Sequence, residues 1–160
     1  MKTRTKGGLV AGSLALTIMA TGFISGWEGR SLQAYQDIVG VWTICDGETK
    51  GVHKGDVATP AECDGMLARN LVAYEAGLDK CLTAPVPGKS KVAFLSWTYN
   101  VGVGAACKST LVKLANAGKV REACDQLLKW NRAGGQVWNG LTRRREAERK
   151  LCLEGVAEGV

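Results

Sequence analysis

The residue types that could do chemistry lie in one short stretch. Glu28 is followed nine positions later by Asp37, and six positions beyond that by Thr43. Arg30, Tyr35 and a Gly-containing turn accompany them. Two carboxyl groups and a hydroxyl suit the hydrolysis of a glycosidic bond. One carboxyl gives a proton to the leaving oxygen, and the other holds and activates a water. Such a pair works when one member sits in apolar surroundings and the other in a more open loop. Trp27 and a long apolar run place Glu28 in the first setting, and the Gly40 turn places Asp37 in the second.

The run before Glu28 must both deliver and position it. Lys2, Arg4 and Lys6 precede an uncharged stretch from Gly7 to Trp27. At 1.5 Å per residue, the twenty residues Gly7–Gly26 could span a bilayer as a helix. Nine of those twenty are Gly, Ser or Thr, so the span is weakly hydrophobic and its insertion marginal. The basic flank predicts an inside N-terminus and an exported remainder. Three readings follow: a cleaved signal peptide ending near Ala20-Thr-Gly22, a permanent anchor, or an anchor that later leaves the membrane. Cleavage would leave too little chain to hold Glu28 rigidly, and a permanent anchor would keep it at the headgroups, so the third is favoured. Residues 1–26 are read as a signal-anchor and 27–160 as the catalytic domain.

The remaining elements follow in order. Tyr35–Thr49, rich in β-branched and aromatic residues, predicts a small antiparallel hairpin. Thr59-Pro60-Ala61-Glu62 predicts a helix start with a capping box, and Leu67, Leu71, Tyr74 and Leu78 continue it at helical spacing. Cys81–Lys89, with Pro85, Pro87 and Gly88, reads as a hinge or loop between two lobes, and Lys91–Val101 as a buried helix. Short helices are expected over Ser109–Ala117 and Val120–Trp130. A Gly-rich loop follows over Arg132–Gly140, then a last helix capped by Thr142 and ended by Gly155. This is an α+β arrangement: a small N-terminal β-hairpin lobe, a larger helical lobe and a cleft between them.

Composition narrows the class. A chain of 160 residues with 46% apolar content is one domain or one domain with a tail. The net charge of +6 suits an anionic partner such as nucleic acid, a membrane surface or an acidic wall polymer. Nine Lys/Arg face four Asp/Glu between Lys119 and Lys150. Six cysteines in an exported chain read as three disulfides. With no C-x-x-C and one histidine, no metal or cofactor is expected. Export and disulfides argue against a nucleic-acid partner.

From about Trp27 to Leu153 the chain resembles the phage-type lysozymes of glycoside hydrolase family 24. The resemblance rests on Glu28-Gly29, Asp37, Gly40 and Trp42-Thr43, on Trp97-Thr-Tyr-Asn100-Val-Gly102 with Ser109-Thr-Leu111, on Trp130-x-x-Ala-Gly-Gly135, and on Gly140-Leu-x-Arg-Arg-Arg-x-Ala-Glu148. The N-terminal run is similar to that of endolysins exported by a signal-anchor that is later released. The resemblance implies a lysozyme-like fold and hydrolysis of the β-1,4 bond between N-acetylmuramic acid and N-acetylglucosamine in bacterial peptidoglycan. It implies Glu28 as general acid, with Asp37 and Thr43 holding the attacking water. It also implies that an arginine of the helical lobe contacts the acid, with Arg143, Arg144 and Arg145 as candidates. A solvated helix face is the plain alternative for that run. Asn100 is implied at the sugar, or equally as a helix-end cap. A monomer is expected, tethered to the inner membrane through residues 7–26 and then released to the periplasm to lyse the host. A lytic transglycosylase and a non-catalytic peptidoglycan-binding protein are the competing readings; the complete Glu/Asp/Thr set argues for hydrolysis.

One departure is visible. Many relatives read T-I-G-x-G-H-T where this chain has Thr43-Ile-Cys45-Asp46-Gly47-Glu48-Thr49. Glu48 replaces the family histidine and is expected to meet Asn70 or Arg69. For the cysteines, Cys63 and Cys81 lie eighteen residues apart on one helix, about 27 Å, too far to bond. Cys45–Cys63, Cys124–Cys152 and then Cys81–Cys107 are the expected pairs.

Overall fold

Thr59 and Glu62 begin the first long element of the folded domain as the sequence predicts. The Thr59 hydroxyl accepts from the Glu62 amide at 3.2 Å, and the Glu62 carboxylate accepts from the Thr59 amide at 2.7 Å, a reciprocal capping box. Loss of a cap of this type costs about 1 kcal/mol. Thr59→Ala is therefore expected to lower the unfolding free energy by that amount, read as a lower urea midpoint with an unchanged slope.

The protein is seen here as a computed structural model that describes the backbone of residues 7–159 and the side chains of residues 14–159. Its elements are α1 (Gly7–Ser25), β1 (Ser31–Gln36), β2 (Trp42–Cys45), α2 (Pro60–Asp79), α3 (Gly88–Val101), α4 (Val103–Cys107), α5 (Thr110–Asn116) and α6 (Val120–Gln126). A 3-10 turn (Leu127–Lys129), β3 (Arg132–Ala133), β4 (Gln136–Val137) and α7 (Asn139–Glu158) complete the chain. It divides into two compact units at Val72/Ala73. The expected hinge at Cys81–Lys89 is thus not the division; it lies within the second unit, where Asn116 pins it. The Asn116 amide accepts from Thr83 and Ala84 and donates to the Cys81 carbonyl at 2.7 Å.

In the first unit β1 and β2 are antiparallel, with Ser31 opposite Cys45 and Tyr35 opposite Thr43, and an irregularity between those two pairs. The hairpin therefore starts at Ser31, earlier than the expected Tyr35. The other edge of β1 is covered by residues 56–58, through Ala34 N to Asp56 O and Ala58 N to Leu32 O. That removes an exposed edge from a very small sheet. Ile44, Cys45, Ala58 and Cys63 form a core beneath it, and Cys45 and Cys63 are disulfide-bonded. Glu48 meets Asn70, whose amide donates to it at 3.1 Å; the other Glu48 oxygen accepts from Thr49 N and Lys50 N.

The second unit is helical. Its core gathers Leu78, Phe94, Trp97, Leu111, Leu127 and Cys152 among others, with the Trp97 and Trp130 rings edge-on at 5.2 Å. Cys81–Cys107 and Cys124–Cys152 are disulfides. Each of the three bridges closes a loop of 18 to 28 residues and contributes about 2–4 kcal/mol.

Three sequence expectations need correction here. The predicted helix over Val120–Trp130 tightens to 3-10 geometry after Gln126. The Gly-rich loop contains the hairpin β3–β4, whose two central residues, Gly134 (φ 58°) and Gly135 (φ 78°), both need the left-handed region. The last helix starts at Asn139 rather than after Thr142, and it runs through Gly155 to Glu158. Gly155 is not a stop. A Cβ there would sit 2.6 Å from Ser90 N, where α3 and α7 touch and the Ser90 hydroxyl donates to Cys152 O at 2.8 Å. Gly155→Ala must push two helices apart and is expected to cost about 1–3 kcal/mol, measured by thermal unfolding.

The basic flank Lys2, Arg4 and Lys6 lies outside the described residues. Among the described residues no helix is long and apolar enough to cross a membrane.

Candidate active site

Glu28, Asp37 and Thr43 all belong to the first unit. Glu28 lies in neither helix nor strand. It sits half-buried in the turn between α1 and β1, where Trp27 N donates to Ile24 O and Gly29 takes φ 62°. Only a residue without a Cβ adopts that φ cheaply. The reversal it makes at Gly29 separates the acid from the strand that follows.

Asp37 closes the far end of β1. Its Oδ1 accepts from Val39 N at 2.9 Å and Val41 N at 2.8 Å, and its own amide donates to Val41 O at 3.0 Å. The carboxylate is thereby part of the turn rather than a free rotor. Thr43 is buried on β2, and its hydroxyl donates to the same Val41 carbonyl at 3.0 Å. Asp37 and Thr43 are thus both held on Val41, one on its N–H and one on its C=O. With the hydroxyl proton committed to Val41, the Thr43 oxygen presents lone pairs, and so does the carboxylate. Acceptors of these two kinds can take the protons of a water and leave its own lone pair to attack.

Arg30, noted in the sequence beside the two carboxyl groups, makes contacts that the sequence did not reveal. Arg30 forks onto Asp46, with Nη2 to Oδ2 at 2.7 Å and Nε to both oxygens at 3.1 Å. Its Nη1 meets Asp64 at 2.8 Å and donates to Pro60 O at 3.4 Å. The Asp46 bond holds the Arg30 guanidinium above its ordinary value, against the effect of burial. A signal for this was present: each cysteine of the pair Cys45–Cys63 is followed by an aspartate.

The other expected site residues belong to the second unit. Asn100 is exposed in the last turn of α3. Arg143 is exposed, as a solvated helix face would have it, but Arg144 and Arg145 are 4% and 0% exposed. Both meet Glu148, itself 0% exposed: Arg144 Nε at 3.2 Å, and Arg145 Nε at 2.7 Å. Ser96 donates to the same carboxylate at 2.7 Å, and Arg144 also donates to Ser96 O at 3.2 Å. Burial pushes the Glu148 carboxyl up; Arg145, Ser96 and Arg144 pull against that rise.

A small sheet with a buried hydroxyl, a carboxyl group in the turn before it and another in the turn between its strands, followed by a helical bundle, defines a lysozyme-like α+β protein. Residues 25–148 match the Phage lysozyme family, and the chain belongs to that family. It is 43% identical over 131 residues to a SAR-endolysin of Enterobacteria phage P21, covering 81% of this chain and 79% of that one. It is 39% identical over 150 residues to a SAR-endolysin of Bacteriophage PS119, covering 93% and 89%. Among solved structures it is similar to a mutant of P22 lysozyme, with TM-score 0.79, 28% identity, and coverage of 84% of this chain and 95% of that one.

Proposed function

We propose that this chain is an endolysin that hydrolyses the β-1,4 bond between N-acetylmuramic acid and N-acetylglucosamine in peptidoglycan and so lyses the host cell. The observation that carries the reading is the common seat of Asp37 and Thr43 on Val41. Glu28 gives its proton to the leaving oxygen. Asp37 takes a proton from the water it shares with Thr43, and the water attacks the anomeric carbon from the other face of the sugar. No atom other than those of sugar, water and these side chains is needed for the balance. An inverting reaction of this kind needs carboxyls about 6.5–9.5 Å apart, and a retaining one about 5–5.5 Å.

Arg144, Arg145 and Asn100 are assigned to the sugar-binding side of the reaction. The excess of cations fits a substrate whose peptide stems carry carboxylates. The N-terminal run is assigned to export and transient tethering at the inner membrane, followed by release to the periplasm as a monomer. The SAR-endolysin names of its relatives support that assignment.

The test is expression of the full chain in the periplasm, with lysis read as turbidity and the released muropeptides read by mass spectrometry. Hydrolysis adds one water to each product. A 1,6-anhydro product, lighter by one water, would replace this reading with a transglycosylase. Membrane fractionation with intact mass of the chain decides among cleavage, anchoring and release.

A further inference from the structure

We propose that Arg30 is the positioning residue for the acid: it locks the Glu28 turn to both sides of the Cys45–Cys63 disulfide. This deepens the proposed function and rests on its reading of Glu28.

Arg30 stands two residues after Glu28, across Gly29, which has positive φ and no side chain to anchor its own position. A carboxylate in such a turn needs an external brace if it is to meet a leaving oxygen in one geometry. Arg30 supplies one. Its side chain is only 20% exposed, and its guanidinium reaches one carboxylate on each partner of the disulfide. Asp46 follows Cys45 and is 4% exposed; Asp64 follows Cys63 on the first turns of α2. A third contact, to the Pro60 carbonyl, aims the fork at the start of that helix.

The acceptors are themselves fixed. Asp46 sits in a tight loop closed by Ile44 N to Glu48 O at 2.8 Å and Glu48 N to Ile44 O at 2.9 Å. Within that loop Cys45 is the one non-glycine residue with positive φ among the described residues, at 57°. A side chain in that region is unfavourable unless the surroundings impose it. The bond to Cys63 and the bracing of Asp46 impose it here. Acid turn, sheet loop and helix start are therefore joined at one guanidinium. Only a planar fork serves three acceptors in this way; an ammonium is a point charge with no such geometry.

The experiment compares full-length wild type, Arg30→Gln, Arg30→Lys and Asp46→Asn. Each is assayed for kcat and KM on peptidoglycan, for melting temperature, and for hydrogen exchange of the amides of residues 27–30. Arg30→Gln is expected to lower kcat by about 10- to 100-fold, the loss that follows from misplacing a reacting group by about an ångström, with KM unchanged within about twofold. Exchange at residues 27–30 is expected to rise while the second unit is unchanged. Arg30→Lys should recover part of the lost kcat, and Asp46→Asn, the milder change if Arg30→Gln folds poorly, should show the same split with a smaller loss. A kcat within twofold of wild type, a loss that tracks only the folded fraction, or unchanged exchange at 27–30 in a folded variant overturns the proposal. Glu28→Gln is run beside them. If that variant stays active, the acid assignment fails, while the exchange measurement still decides whether Arg30 braces the turn.

Discussion

Glu28→Gln is expected to lower the rate of lysis by between about 10² and 10⁴, the range general acid catalysis supplies. At 1.36 kcal/mol per tenfold that is about 3–5 kcal/mol of transition-state stabilisation. The amide matches the carboxyl in size and can still donate a hydrogen bond, but it has no proton to give up to the departing oxygen. Glu28 lies in a turn outside both helix and strand, and is only half-buried. Bonds of its segment include those of Arg30, two residues on, and of the Trp27 amide. A melting temperature close to wild type, with lysis abolished, separates loss of chemistry from loss of fold. Lysis within tenfold of wild type in a folded Glu28→Gln would remove Glu28 from the role of acid.

The largest expected loss of stability comes from the other unit. Glu148→Gln should destabilise the protein by about 3–5 kcal/mol, the cost of breaking a buried ion pair by removing one partner. Glu148 is fully buried and bridges two buried guanidiniums, Arg145 at 2.7 Å and Arg144 at 3.2 Å. Burial pushes its carboxyl up, and the two cations at contact distance, with Ser96, pull against that rise. Without the carboxylate those two cations lose the anion that both of them meet. Ser96 would lose its acceptor as well. Urea titration checks this directly, and a shift under 1 kcal/mol would mean that other groups carry the two arginine charges. The same variant bears on function, since Arg144 and Arg145 can serve a substrate only while they are held in place.

Much of the architecture was legible because its signals are local. The capping box at Thr59 and Glu62 depends on two side chains three residues apart, and it is present as read. The buried helix α3 was visible as a segment with little polar face. The Glu48 contact with Asn70 was foreseeable because the hairpin returns directly onto α2. Where reading failed, the reason was non-local. Gly155 carries the common sign of a helix end, but its actual task is to let Ser90 approach. The arginine run has the pattern of a solvated face, yet Glu148, a turn later on the same helix, and Ser96, on another, make two of its members interior.

For the candidate site, the sequence by itself determined the inventory: an acid, a second carboxylate, a hydroxyl, and the family to which their spacing belongs. Those are matters of residue type and order, which a chain carries whether or not it is folded. Only the tertiary structure decided that Asp37 and Thr43 share one residue, Val41, through a hairpin register that brings it between them. Only it decided that Arg30, flanked in sequence by glycine and serine, spends its charge on aspartates sixteen and thirty-four residues away. Hydrogen bonds and ion pairs act over about 3 Å. Which groups come within that distance depends on how strands pair and where a disulfide closes the chain, and no spacing along the sequence states it.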